Sequence, residues 1–199
     1  MDQMSLARSA FATVRNLIGT LKSSGLSDSQ PTPFAEDARP LSQGEFQKTL
    51  QTLQVKPVAD EASVAPLRER VIQEVKTSGN QALDEDQQST LDVVDRFFRS
   101  VVESPKISDR TRGQMRKLEV PVLKVVLRDP AFFDDIESPV RGVMDRLAQL
   151  GARGSRTNPA VQRRVDDLVN RISSEFEQDT RVFDGAMEEL DTLIDRQNL

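Results

Sequence analysis

The sequence of 199 residues contains no histidine, cysteine, tyrosine or tryptophan. Without histidine and cysteine, a chain cannot build a Ser-His-Asp or Cys-His triad, the usual zinc sites, a thiol redox centre or an imidazole acid–base catalyst. Only carboxylates, lysine, arginine and hydroxyl groups are left for chemistry. We therefore expect no enzymatic activity and no cofactor, and the sequence assigns no catalytic, cofactor-binding or metal-ligating residue.

Long apolar runs are also missing. The longest covers residues 120–127 and contains Lys124, well short of the roughly 20 residues that span a bilayer. Arg8 and Arg15 interrupt the N-terminal apolar pattern, which argues against a secretory signal, although the basic, nearly acid-free composition weakly resembles a transit peptide. The absence of cysteine fits a reducing compartment. These features favour a cytoplasmic location.

Residues 1–22 predict an amphipathic helix. Apolar side chains recur at alternating steps of three and four residues, the spacing of a coiled-coil seam, at Met4, Ala7, Phe11, Val14, Ile18 and Leu21. Residues 23–40 are rich in turn and linker residues and predict a flexible linker.

The apolar stripe of residues 1–22 has several interpretations. The helix packs on the main body, docks to a protein partner, or pairs with another copy of the chain. A membrane-surface helix is less favoured, because the polar face carries few charges and the apolar face only one aromatic residue. The docking interpretations assign the contacts to Met4, Phe11, Val14, Ile18 and Leu21.

Residues 41–197 predict an all-helical domain. A capping box begins it at Ser42, with a hydrophobic staple around the box. Three later helix starts combine a side-chain acceptor with proline at the first helical position, namely Asp129-Pro130, Ser138-Pro139 and Asn158-Pro159. The final segment has the pattern of one helix of nearly forty residues, or of two nearly collinear helices that break near residues 178–180.

Residues 118–127 allow two interpretations. Four of the ten residues are valine, which favours a buried strand. Strong helix patterns on both sides and the lack of a partner strand favour a helix that Pro121 kinks or breaks. We prefer the helix, which predicts an all-α fold of seven to eight helices without a sheet. Their arrangement is either an irregular bundle or a stack of helical hairpins.

Charge is distributed unevenly along the chain. The chain as a whole has a net charge of −5, but residues 106–164 carry 13 basic and seven acidic side chains, whereas residues 166–195 carry ten acidic and two basic ones. The basic region indicates either an anion-binding surface or helices that pair with the acidic ones. The first interpretation assigns anion binding to Arg141, Arg153, Arg156, Arg163 and Arg164.

Acidic pairs and aromatic pairs have structural explanations. Residues 134–135 and 166–167 are adjacent aspartates, which do not share a helix face and are typical of exposed acids near helix starts. The acids of residues 84–95 resemble a calcium loop only superficially, because the turn glycine and the final glutamate are missing. The phenylalanine pairs at residues 97–98 and 132–133 are typical of a core.

Residues 118–133, followed by Ser138-Pro139-Val140-Arg141, resemble the most recognisable segment of a large uncharacterised proteobacterial family, a domain of unknown function. Some members have carried an unsupported thymidine phosphorylase label. Residues 41–54, 91–98 and 176–183 are similar to it too, so that the resemblance covers about residues 40–195. In the family pattern a histidine usually precedes the Pro-Ala-Arg that Pro139-Val140-Arg141 matches, and here Ser138 stands in its place.

The resemblance implies a bacterial, cytoplasmic helical protein, corresponds to the middle of a usually longer protein, and assigns no catalytic residue. Together with the missing motifs, it favours a non-enzymatic interaction or scaffolding module with a protein partner or a second copy. The alternative is a module that binds nucleic acid or a nucleotide second messenger through the central arginine and lysine residues.

Overall fold

The computed structural model describes residues 33–56, 65–133, 135, 137–154, 158–177 and 179–198. Within these ranges the chain forms eight α-helices, one 3-10 helix and a pair of two-residue strands. In chain order the elements are β1 (Arg39–Pro40), α1 (Gln43–Val55), α2 (Leu67–Thr77), β2 (Gln81–Ala82), α3 (Glu85–Val102), α4 (Asp109–Lys117), α5 (Glu119–Arg128), the 3-10 helix (Pro130–Phe133), α6 (Pro139–Leu150), α7 (Pro159–Glu175) and α8 (Arg181–Gln197). The predicted all-α fold is confirmed.

Side-chain caps begin four of the eight α-helices of the described ranges. At the start of α1 the Glu45 backbone N–H donates to Ser42 Oγ at 3.2 Å, and the Ser42 backbone N–H donates to Glu45 Oε2 at 2.8 Å. Asn158 accepts from the first turn of α7 in the same role. Ser138 precedes Pro139 as predicted, but its buried side chain makes no capping hydrogen bond, so the cap expected at that position is wrong.

A short parallel pairing holds the chain that enters α1. Arg39 pairs with Gln81 and Pro40 with Ala82, and the Leu41 backbone N–H donates to the Ala82 carbonyl at 2.8 Å. Two-residue strands are too short to leave an alternating sequence pattern, which is why the sequence predicts no sheet here.

Helix α5 occupies the centre of the domain. It contacts α1, α3, α4, α7 and the 3-10 helix, and its residues from Glu119 to Val126 are all buried. The chain breaks between α4 and α5 at Leu118, so Pro121 falls in the first turn of α5, where a missing N–H removes no intrahelical bond. The strand interpretation of this segment is therefore wrong, and the broken helix is correct.

The last two helices fold back on each other. Arg171 of α7 forms an ion pair with Glu189 of α8 at 2.7 Å. The Phe176 and Phe183 rings, one on each side of the turn, meet edge to face with centroids 5.3 Å apart. Both rings are buried in the core. In a continuous or collinear segment, Arg171 and Glu189 would lie about 27 Å apart along the helix axis, so their ion pair shows that the expectation of a continuous or collinear final segment is wrong.

Helices α6 and α8 approach closely at Gly142. A Cβ atom at this position would lie 2.1 Å from the sulfur of Met187 on α8. Glycine therefore leaves room for the Met187 side chain, which a larger residue at position 142 would displace. No helix in the described ranges is long and apolar enough to cross a membrane.

Candidate functional site

Lys124 lies in the middle of α5 and is 2% exposed. Its ammonium donates to the side-chain oxygen of Gln51 on α1. It lies 3.5 Å from the carbonyl oxygen of Phe176 and 5.8 Å from the centre of the Phe176 ring. Burial lowers the pKa of Lys124 to about 8, while the nearby Glu177 opposes that shift. The ammonium joins α5 to α1 and to the end of α7.

Gln54 reinforces this junction from α1. Its Nε2 donates hydrogen bonds of 2.8 Å to the carbonyl oxygens of both Ser173 and Phe176. The last carbonyls of a helix have no partner within the helix. Gln54 and Lys124 therefore satisfy the C-terminal end of α7 from two other helices.

Glu119 is the second buried charge of α5, with 4% of its surface exposed. Its carboxylate forms an ion pair with the Arg70 guanidinium of α2. Burial raises the pKa of Glu119 to about 7, although Arg70 and Arg116 both act to lower it. The ion pair connects the start of α5 to α2.

Asp95 of α3 lies beside this pair and is 5% exposed. It accepts hydrogen bonds from the Arg68 backbone N–H at 3.1 Å and from the Arg99 guanidinium at 2.9 Å. A cavity of about 230 Å³ adjoins these groups, and its lining includes Asp95, Arg99, Arg116 and Glu119. Each buried carboxylate is thus already engaged by an arginine.

Each buried charge of α5 contacts a polar side chain of another helix. Within the described ranges, no three acidic side chains are grouped so that they could hold a metal ion. Lys124 has a lowered pKa, as a nucleophilic amine would need, but it does not line the cavity beside Asp95 and Glu119. The charges of α5 therefore join helices.

A second cleft, of about 440 Å³, lies between the start of α7 and the end of α8. Its charged lining consists of Arg163, Arg164 and Asp167 from α7 and Arg196 from α8. All four are exposed. We call this the arginine cleft.

The three arginines of this cleft differ from two arginines of α6 and α7 that bind acids of α8. Arg146 binds Asp191 with contacts of 2.7 and 2.9 Å, and Arg171 binds Glu189 at 2.7 Å. Among the described residues, no ion pair or hydrogen bond engages the guanidiniums of the cleft. Their charges remain available to an incoming anion.

A family model described as "Protein of unknown function (DUF1631) 2nd domain" matches residues 40–179. The chain belongs to this family. No curated protein and no solved structure matches the chain. The sequence resemblance to an uncharacterised family is thereby confirmed, and the DUF1631 match runs from just before α1 to the turn after α7.

In this DUF1631 domain the predicted anion-binding residues do not all come together. Arg163 and Arg164 share the arginine cleft. Arg141 is buried in α6, and Arg153 is exposed in the loop after α6. Arg156 lies outside the described residues, as do the predicted docking residues Met4, Phe11, Val14, Ile18 and Leu21.

The sequence interpretation missed Arg196. It lies in the acidic C-terminal segment, just after a stretch with ten acids and two bases, so the local charge of the sequence does not indicate an anion-binding residue there. It reaches Arg163 and Arg164 only because α8 folds back along α7. Because α8 begins beyond residue 179, the α7 side of the cleft lies within the region that the DUF1631 model matches, and the α8 side lies outside it.

Proposed function

We propose that the chain is a non-enzymatic helical interaction module that docks to a protein partner through the apolar stripe of residues 1–22. The observation that carries the proposal is the exposure of the rest of the molecule. Val55, at 61%, is the only exposed large hydrophobic side chain among the described residues. The described domain thus buries its own apolar side chains and offers little apolar surface for docking.

The stripe contrasts with that surface. Six apolar residues recur at coiled-coil spacing within residues 1–22, and a helix with such a seam gains stability by burying it against another helix or in a groove. The described surface displays no apolar patch that matches the stripe. This supports a partner chain, either another protein or a second copy, as the element that covers it.

The test uses the full chain with substitutions matched in charge. Phe11→Asp with Ile18→Asp places two acids in the seam, whereas Ser9→Asp with Asn16→Asp places two acids on the opposite helix face. We expect the first variant to lose self-association in sedimentation equilibrium, or specific partners in affinity capture, and the second to retain them. Equal behaviour of the two variants would contradict docking through the stripe.

A second candidate function is anion binding, and the arginine cleft is the observation that favours it. Three unpaired guanidiniums from two helices line one concave surface in the described part of the chain. Guanidinium groups bind phosphate oxygens in pairs. Titration with nucleotides and with nucleic acid at about 50 mM and about 200 mM salt tests this function, because phosphate contacts weaken steeply with salt.

A further inference from the structure

The arginine cleft brings together three positive charges that form no ion pair within the described part of the chain. Arg163 and Arg164 lie on successive positions of α7, and Arg196 comes from the end of α8. Elsewhere on α6–α8, Arg146 and Arg171 each form an ion pair with an acid on the facing helix. Asp167 lies in the cleft itself, yet among the described residues it forms no ion pair with any of the three.

The net charge of the cleft indicates the charge of its ligand. Three arginines and one aspartate give two net positive charges. A phosphate monoester carries about −1.5 to −2 at neutral pH and offers three acceptor oxygens. A carboxylate carries a single negative charge and leaves one of these positive charges unbalanced. A phosphate monoester is therefore the better electrostatic match.

The size and lining of the cleft indicate the rest of the ligand. Its volume of about 440 Å³ lies within the range of roughly 300–1,000 Å³ that is typical of small-molecule sites. No described aromatic side chain lines it, whereas surfaces that hold bases usually stack them on aromatic rings. The polar groups of Asn158 and Asp167 supply hydrogen-bonding partners for hydroxyl groups.

We infer that the arginine cleft binds a small hydroxylated phosphate monoester, of the sugar phosphate or polyol phosphate class. The assignment rests on the anion-binding function proposed above and names its ligand. The phosphate lies between Arg163, Arg164 and Arg196, and the hydroxylated part extends toward Asp167. Because the cleft draws on α7 and α8 together, a bound phosphate also ties the two helices to each other.

The test is calorimetric titration of the full chain with glucose 6-phosphate, glycerol 3-phosphate, glucuronate and glucose. The two phosphates are expected to bind, and the binding weakens with added salt. Glucuronate keeps the sugar ring but replaces the phosphate by a carboxylate, so it should bind at least about fivefold more weakly, since its charge leaves one guanidinium unmatched. Uncharged glucose should not bind.

A pair of matched variants locates the site. Arg163→Gln with Arg196→Gln removes two positive charges from the cleft, and Arg96→Gln with Arg153→Gln removes two from exposed positions outside it. We expect at least a tenfold loss of glucose 6-phosphate affinity in the cleft variant, as for two charge-assisted hydrogen bonds, and about a twofold change in the control. Circular dichroism verifies that both variants are folded.

The outcomes separate the ligand from the function. If adenosine monophosphate or single-stranded DNA binds through the cleft and the sugar phosphates do not, the ligand class is wrong but anion binding stands. If none of these anions binds, both fail. If the control variant loses as much affinity as the cleft variant, the cleft is not the site.

Discussion

Two regions of the domain treat charged side chains in opposite ways. On α5, Glu119 and Lys124 are almost completely withdrawn from solvent, and each meets a polar group from another helix. In the arginine cleft, Arg163, Arg164 and Arg196 remain exposed, and no described side chain pairs with them. Burying a charged side chain lowers the stability of the fold unless the charge is paired. An exposed charged side chain contributes little to stability, whether or not it is paired.

This difference indicates which charged side chains contribute to the stability of the fold. Replacing one partner of a buried pair leaves the other charge desolvated and uncompensated. Replacing an exposed arginine removes only a weak interaction with solvent-screened neighbours. Substitutions on α5 should therefore reduce stability, while substitutions in the cleft should leave stability unchanged and affect only binding.

The largest expected effect comes from Arg70, the partner of Glu119. Arg70→Met leaves the buried carboxylate without its guanidinium and should lower the free energy of unfolding by about 3 kcal/mol near pH 8. Arg163→Met, the matched substitution in the cleft, should change it by less than about 0.5 kcal/mol. Urea unfolding followed by circular dichroism measures both. Similar losses in the two variants would abolish the distinction between the regions.

Features that depend on neighbouring residues could be predicted from the sequence. Ser42 and Glu45 are three residues apart, so the capping box that begins α1 is visible in the sequence itself. The same holds for the helical periodicity, which predicted the all-α fold, and for the aromatic pair Phe97 and Phe98, which was predicted to lie in the core and does. Arg163 and Arg164, two of the predicted anion-binding residues, are adjacent in the sequence and line the same cleft, and their binding of an anion stays a prediction.

Features that depend on distant residues could not be predicted. The fold-back after Phe176 is shown by the contact between Arg171 and Glu189, which are far apart in the sequence. The helical periodicity of the sequence continues unchanged through the turn. Arg196 joins the cleft only through that fold-back. Lys124 interrupts an apolar run, and nothing nearby indicates Gln51, which is 73 residues away, as its partner.

The next effect is a pH dependence from Glu119. Because its pKa in the folded chain is raised to about 7, the folded state binds a proton that the unfolded state releases near its ordinary, lower pKa. The resulting stability is present in acid and is lost as the pH rises toward 7. Between about pH 5.5 and about pH 7.5 the loss is about 2 kcal/mol.

Comparison with Glu119→Gln isolates this contribution from those of other carboxylates. The substitution keeps the shape of the side chain and removes its titration. The difference in unfolding free energy between the two proteins should change across the interval from pH 5.5 to pH 7.5, as measured by urea unfolding at each pH. A constant difference would mean that Glu119 is charged in the folded protein throughout.

Lys124 should show a smaller dependence in the alkaline range. Its pKa in the folded chain is lowered to about 8, so the unfolded state binds more protons above that pH, and stability rises with pH. The gain is about 1 kcal/mol between pH 8 and pH 9. Lys124→Met should lack this rise in urea unfolding. If the unfolding free energy of the wild type also fails to rise, burial does not destabilise the charged form of Lys124.

The smallest effect belongs to the cleft. Arg163→Gln with Arg196→Gln removes two like charges that face one concave surface without a described partner. The unfolding free energy should stay within about 0.5 kcal/mol of the wild-type value, and any change should be a gain that fades with added salt, because salt screens the repulsion between exposed charges. Chemical unfolding at low and high salt measures it. A loss of several kcal/mol would show that these arginines stabilise the fold, as the charges of α5 do. Arginines engaged in this way would not be free to bind a ligand.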